Sequence, residues 1–454
     1  MKVVLVTPGF PAPPTSGGSQ RAFHLLRLLG RRHQVHLFSL VGASPAPDAL
    51  AQVQPFCSGV TLARVPGRSV LHRLHDLIST AQPDLAQRFA APEARALLAR
   101  LLGAGACDVV QVEGLEASAD LLAAWEALPP PRPALVLDAF NAEYLLQRRA
   151  FLVDLGRPDR WPVAAYSLVQ WHRLRRYEQD ICRRAAAVLA VSEADRQALL
   201  ALVGAQGRSE GKDCRGERRA WATPGRPGLQ AGIQQCTDDR PLAPGGKVAL
   251  VPHGVDTARY RPPSEPVPGH APELLFTGTM DYRPNVDAIT WFCTHVLPRV
   301  RERVPDVRLT IVGRDPTAAV RALAGPSVTV TGAVTDDLPY FQRASAFVLP
   351  MRYGGGVRLK LLQALACGLP VVSTPLGTDG VAACHGEHLL LAERPEEFAQ
   401  AVVRVLADPA LAARLGRSGR ALVAERYTWE AAASLVEDVY EELRCAGRPQ
   451  RSDP

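Results

Sequence analysis

The chain has 454 residues, 47% of them apolar, with a net charge of +7 and a pI near 9.0. That length is too great for one ordinary core and points to two or three domains. Arginines spread along the whole chain with few aromatics between them exclude a nucleic-acid-binding module, and no apolar run reaches the roughly 20 residues that a membrane span needs.

The opening Met-Lys-Val-Val-Leu-Val-Thr-Pro is too short in its apolar part for a secretion signal. The nine cysteines are scattered, odd in number and without a C-x-x-C pair. That pattern argues against a disulfide framework or a zinc site and fits a reducing, cytoplasmic location. Val3 to Val6 reads as a strand, followed by a loop rich in proline and glycine from Pro8 to Gly18. Ser19 is placed to cap a helix running to Leu29, with Leu25, Leu26, Leu28 and Leu29 on its buried side and Gly30 ending it. Strands are predicted at Val35 to Leu40, Asp108 to Val112, Ala134 to Leu137, Ala187 to Val191 and Val248 to Val251. Residues 204–246 are rich in Gly, Arg, Pro and Gln and lack apolar periodicity, so they read as a solvated, disordered insertion.

A proline-rich stretch at 261–272 reads as a linker. The alternation then restarts. A strand is predicted at Leu274 to Gly278, a helix around Val286 to Val304 and a strand at Arg308 to Gly313. A helix around Thr317 to Ala324 and a strand at Ser327 to Thr331 follow. After the strands Ala346 to Leu349 and Val371 to Thr374, helices are predicted at Glu396 to Ala407, Leu411 to Glu425 and Trp429 to Leu443. Strands alternating with helices throughout predict an α/β protein with parallel sheets covered on both faces.

Between the strands at 346 and 371 lies the most informative stretch. Gly354, Gly355 and Gly356 precede a helical segment with Arg358 and Lys360 in its first turn, stopped by Gly368 and Pro370. Glycines permit close backbone approach to a ligand, and the helix start offers free N–H groups and partial positive charge. Two cations there oppose the macrodipole unless an anion compensates them, so a diphosphate is the expected ligand. A tight strand-to-helix turn with incidental basic residues is the plainer alternative.

Asp138, Asn141 and Glu143 sit at the carboxyl end of a predicted strand, where a cleft is expected. Glu143 is a candidate to accept a hydroxyl proton, and Asn141 a candidate acceptor-binding residue; Asp138 and Asn141 read equally well as helix caps. Asp256 reads as a turn stabiliser. The segment Tyr166 to Arg184, with five arginines, is either a basic surface for anionic lipid or a solvated helix face.

Several stretches together resemble one family. They are Thr-Ser-Gly-Gly-Ser-Gln-Arg at 15–21, Asp-Ala-Phe-Asn-Ala-Glu-Tyr at 138–144, Val-Ser-Glu-Ala-Asp at 191–195 and Val-Pro-His-Gly-Val-Asp at 251–256. Phe-Thr-Gly-Thr-Met-Asp-Tyr-Arg-Pro-Asn at 276–285 and the glycine loop through Pro-Val-Val-Ser-Thr complete the set. In this order they resemble the retaining family 4 glycosyltransferases (glycosyl transferases group 1) of the GT-B fold. The resemblance implies two Rossmann-like doubly wound domains facing a central cleft. An acceptor-binding domain would span 1–260, the linker 261–272 and a nucleotide-sugar-binding domain 273–427. A helix at 428–445 would cross back to the first domain, leaving a tail at 446–454.

The resemblance further implies transfer of a sugar from a nucleoside-diphosphate sugar, a substrate rather than a cofactor, to a glycan or lipid-linked acceptor. Cell-surface polysaccharide assembly is the implied setting, with no metal required and peripheral contact with an anionic membrane as a further expectation. Arg358 and Lys360 would hold the diphosphate with Gly354, Gly355 and Gly356, while Gly17 and Gly18 would let the first loop close over it. Gly278, Arg283 and Gln363 complete the expected donor site. The chain departs from the family pattern, with Gly355 and Gln363 where many members carry two glutamates, Thr279 and Pro284 where an arginine and a lysine are common, and Phe140 in place of a histidine. Arg283 is the nearest substitute cation. These departures leave a non-catalytic GT-B homologue that binds a glycan or partner protein, and a GT-B sugar-nucleotide epimerase, as alternatives.

Overall fold

The computed structural model describes residues 1–104, 107–156, 158–204, 246–263 and 271–446. The insertion expected at 204–246, the centre of the linker at 261–272 and the tail at 446–454 fall outside the described residues, apart from their margins.

Two parallel sheets organise the rest. The first contains β1 (Lys2–Thr7), β2 (Gln34–Val41), β3 (Gly59–Arg64), β4 (Val109–Glu113), β5 (Ala134–Ala139), β6 (Ala187–Ala190) and β7 (Val248–Leu250), in the order β3-β2-β1-β4-β5-β6-β7. The second contains β8 (Glu273–Thr277), β9 (Arg308–Val312), β10 (Val328–Gly332), β11 (Ala346–Leu349), β12 (Val371–Ser373) and β13 (Leu390–Leu391), ordered β10-β9-β8-β11-β12-β13. Both are doubly wound, with the order reversing beside the first strand of each domain. Central strands such as β4, β6 and β11 are buried along their whole length, as helices on both faces demand. Edge strands β3 and β13 were not anticipated; β3 is mostly half-buried and β13 has two residues, so neither shows a strong apolar run.

Local chemistry explains the other differences. The first helix, Gly17–Leu29, is capped by Ser16 rather than Ser19; Ser19 is the third helical residue and closes a capping box with Ser16. The single helix expected over 286–304 is a helix at Arg283–Trp291, a π turn at Phe292–Val296 and a helix at Leu297–Arg301. Pro298 has no N–H to continue the ladder, and Leu297 N instead reaches back to Phe292 O. Cys384 is disulfide-bonded, a bridge the scattered cysteines did not suggest.

The last helix, Trp429–Ala446, packs into the core of the first domain, where Val436 and Val439 join Leu25, Leu29 and Val35. Trp429 stacks on His24 with ring centres 4.9 Å apart, and Tyr440 Oη donates to Gln111 Oε1 at 2.5 Å. Asp256 stabilises its turn, accepting from the N–H groups of Ala258 and Arg259 at 3.0 Å each.

Candidate functional site

The carboxyl ends of both sheets face each other across a cavity of about 580 Å³. Leu146, Arg149, Ala150 and Val153 line it from the first domain; Thr279, Tyr282, Arg283, Asn285, Tyr353 and Gly354 line it from the second. A larger groove of about 860 Å³ lies by Met1, Lys2, Gln34 and Asp108, at the amino ends of β1, β2 and β4. The interdomain cavity is the functional candidate, because open α/β sheets bind ligands beyond their strands' carboxyl ends.

The glycine loop joins β11 to a helix at Leu359–Ala366. Gly354 and Gly356 have φ of +115° and +79°, which favour glycine. Gly355 needs its missing side chain for a different reason. A Cβ there would run into Leu146 Cδ2, and Arg149 Nη1 would lie 3.1 Å away. The space that a side chain at 355 would claim is filled by the first domain. A Cβ on Gly356 would meet Asn141 Oδ1, and Arg149 Nη1 donates to Gly354 O at 3.0 Å. The loop is thus seated against the first domain.

Arg358 is the N-cap residue and is 7% exposed; its Nε and Nη2 are buried with no hydrogen-bond partner. Burial pulls its guanidinium below its usual range, against the favourable influence of Tyr282 and Asp379. Lys360 Nζ donates to Asn285 Oδ1 at 2.8 Å and lies 4.3 Å from the centre of the Phe276 ring. Burial, and then the Arg358 charge, drives the ammonium well below its ordinary pKa. Among the described residues neither cation forms an ion pair. Gly278 has φ +151°, and a Cβ there would come within 2.8 Å of Lys360 Nζ. Lys360 therefore brings a protonatable amine to the β8 loop, where Thr279 and Pro284 carry no charge.

The other expected donor residues separate. Arg283 Nη2 donates to Asp154 Oδ1 of the first domain at 3.2 Å, so it bridges the cleft rather than standing free for a phosphate. Gln363 is 8% exposed and its amide donates to Tyr260 Oη at 2.9 Å; that hydroxyl in turn donates to Asp337 Oδ1 at 3.0 Å. Its NH2 group is spent on a buried link to the interdomain segment, whereas the expected ribose contact uses its carbonyl oxygen. Gly17 approaches Leu359, and Gly18 packs on Phe140, a Cβ on each meeting these side chains at 3.5 and 3.2 Å.

On the first domain, Asn141 Nδ2 donates to Glu143 Oε1 at 3.1 Å. Neither Asp138 nor Asn141 caps the Glu143–Leu155 helix. Glu178 accepts from the N–H groups of Glu143 and Tyr144 at 3.0 Å each, and Asp195 accepts from Ala142 N at 2.9 Å. Asp138 is instead buried against Arg21, whose Nε donates to it at 2.8 Å. Glu113 lies beside that pair, and burial and Asp138 raise its pKa. Glu143 is pushed up to about 7 by burial first and by Glu116 next, with Asn141 opposing. A carboxyl poised near neutrality is suited to proton transfer; Glu143 opens the helix whose Leu146, Arg149, Ala150 and Val153 line the cavity but is not itself in the lining.

Sequence reading missed Arg149, Asn285, Tyr282 and Glu178. Only Asn285 carried a local signal, in the Pro-Asn pair that opens its helix; the others depend on which helices face the cleft.

Residues 271–408 match the family Glycosyl transferases group 1. A glycogen synthase of Mycobacterium tuberculosis is 32% identical over 210 residues, 43% of this chain and 48% of the relative. A GDP-mannose-dependent alpha-(1-6)-phosphatidylinositol monomannoside mannosyltransferase of the same species is 30% identical over 221 residues, 43% of this chain and 56% of the relative. The chain spans about half the length of the curated relatives it matches. Among solved structures, a sucrose-phosphate synthase of Thermosynechococcus elongatus superposes with a TM-score of 0.67 at 18% identity, covering 98% of this chain and 100% of that one.

Proposed function

We propose that this GT-B chain, whose second domain carries the glycosyl transferases group 1 signature, is a retaining glycosyltransferase of family 4. It moves a sugar from a nucleoside-diphosphate donor on the second domain to a hydroxyl of a glycan or lipid-linked acceptor on the first. The observation that carries this reading is the pair Arg358, buried with Nε and Nη2 unpartnered, and half-buried Lys360, neither with an ion-pair partner among the described residues. A buried unpaired cation is costly, and a diphosphate at a helix start offsets that cost.

In the transfer, the bond between the sugar's anomeric carbon and the diphosphate oxygen breaks, and its electron pair leaves with the diphosphate. Arg358, Lys360 and the N–H groups opening the Leu359–Ala366 helix face that growing negative charge, so no resident metal is required of the site. The acceptor oxygen bonds to the same face of the anomeric carbon. Glu143, in its carboxylate form, receives or orients the hydroxyl proton. The name of the mannosyltransferase relative includes a nucleotide sugar and a lipid-linked acceptor, which supports both substrate classes here. A cytoplasmic role in cell-surface polysaccharide assembly accords with this reading; no described helix is long and apolar enough to cross a membrane.

The buried engagement of Gln363 favours a second reading, a non-catalytic homologue that keeps the anion site. Thermal stability measured with UDP, GDP, ADP and their sugar conjugates tests the first step. Ligand at about a hundred times Kd stabilises by about 2.7 kcal/mol. No shift with any nucleotide removes the donor site, and a shift that survives replacing both Arg358 and Lys360 by Ala removes the phosphate assignment. Donor hydrolysis or transfer then separates a catalyst from a binding homologue.

A further inference from the structure

The interdomain cavity adjoins a chamber of about 30 Å³, and Leu146 and Arg149 line both. The chamber has room for one or two waters or hydroxyl groups but not for a sugar ring. Ala142, Asp195, Gly355, Gly356 and Asp379 form much of its wall. Its two carboxylates differ. Asp195 is engaged through both oxygens, with Oδ1 accepting from Ala142 N at 2.9 Å and Oδ2 from Ser192 Oγ at 2.5 Å. The Asp379 carboxylate accepts no hydrogen bond and forms no ion pair among the described residues. Its place is fixed by the backbone on either side. Thr374 caps the 3-10 turn Pro375–Thr378 that leads into it, accepting from Gly377 N at 3.2 Å. Gly380, which follows it, has φ +80°, and a Cβ there would come within 2.6 Å of Val357 Cγ2 and 3.0 Å of Ser192 Cβ. Burial raises the Asp379 pKa; Arg149 and then Arg358 oppose the rise, and Asp195 adds to it. Arg358 Nη2, an orphan donor, lies under the glycine loop, where a Cβ on Gly354 would be 2.9 Å away. The site thus presents unsatisfied donors on Arg358 and an unsatisfied acceptor on Asp379, near enough to feel each other's charge but not joined.

We propose that Asp379 is a specificity-determining residue for the donor, accepting a hydrogen bond from one hydroxyl of the sugar whose diphosphate Arg358 holds. This inference rests on the transferase reading. A sugar joined to a diphosphate carries the two matching halves side by side, phosphate oxygens that accept and hydroxyls that donate. The larger cavity, at about 580 Å³, has the size of a nucleotide pocket, and the chamber beside it admits a single hydroxyl. A carboxylate in so small a space selects the position and configuration of that hydroxyl. An epimer turns the group away and leaves the carboxylate desolvated without a partner. Gly355, in the same wall, has no side chain with which to make such a contact.

Calorimetry on the full chain with UDP, GDP and ADP, and with UDP-glucose, GDP-mannose and ADP-glucose, tests the assignment. Binding of no nucleotide removes the donor site and this inference with it, whereas nucleotide binding that ignores Asp379 removes the inference alone. D379N is expected to weaken the best sugar nucleotide about tenfold and D379A about thirtyfold. The bare diphosphate should bind both variants as well as wild type or better, because a negative charge facing its cations is gone. Neither variant removes a side-chain bond present in the free protein, so both keep the wild-type melting temperature. Among monodeoxy forms of the best sugar nucleotide, the one lacking the selected hydroxyl should bind wild type and D379A alike. An equal loss for bare and sugar-bearing diphosphates makes Asp379 structural and overturns the proposal. An unchanged preference for the sugar nucleotide overturns it too, as does a deoxy series in which every member keeps the full difference.

Discussion

Arg358→Met separates a ligand-holding cation from a structural one by the signs of two effects. In the free protein, Nε and Nη2 of Arg358 are buried without partners and its charge is disfavoured by burial. Methionine keeps much of the apolar stem and discards the desolvated charge, so the free protein should be unchanged or more stable. The bound state should move the other way. If the two orphan N–H groups each donate to a phosphate oxygen, at about 1.5 kcal/mol per charge-assisted bond, the loss is about 3 kcal/mol, or roughly 150-fold in Kd. With nucleotide at about a hundred times the wild-type Kd, the wild type gains about 2.7 kcal/mol and the variant about 0.3 kcal/mol. Thermal or urea unfolding with and without the best nucleoside diphosphate measures both. A variant whose free form loses more than about 1 kcal/mol while its nucleotide gain persists would refute the reasoning and make Arg358 a structural residue.

Three further outcomes follow from the same geometry. Because burial and Arg358 lower the Lys360 pKa, a bound diphosphate should raise it again; nucleotide binding at a pH between the lowered and the ordinary lysine value should take up protons, seen as buffer-dependent calorimetric heat, and Lys360→Met should abolish the uptake. Glu143, raised to about 7, is carboxylate only above that pH, so transfer should climb with pH through about 7 and Glu143→Gln should flatten the climb. Its stability effect has the opposite slope, present in full below the ordinary carboxyl pKa of 4.5 and lost as pH rises through about 7. Trp429→Ala removes a side chain that is 1% exposed in the first domain's core, and should cost about 3–5 kcal/mol by urea denaturation.

Much of the architecture was legible because buried parallel strands write themselves as apolar runs. Val109–Glu113 and Ala346–Leu349 are buried throughout and were read within a residue. The half-buried edge strand Gly59–Arg64 has no such run and was missed. Within the site, Gly354, Gly356, Arg358 and Lys360 stood out because their types are unusual at a helix start. Roles set by the opposite domain left no trace in the local sequence. Arg283 looks like a phosphate ligand until Asp154 is seen across the cleft, and the NH2 group of Gln363 looks free until Tyr260 is seen beside it. Gly355 reads as a lost glutamate, whereas Leu146 has taken the room.

The returning helix makes the chain cross between the domains twice, and the two crossings touch. Val255 N donates to Tyr427 O at 2.8 Å, and Val255 bridges Thr428 in parallel. Gly254 presses so closely on the backbone at Trp429 that a Cβ would come within 2.5 Å of its nitrogen. Two strands of polypeptide pinned side by side join the domains, and this double tether accompanies the arrangement in which the glycine loop rests on Leu146, Arg149 and Asn141.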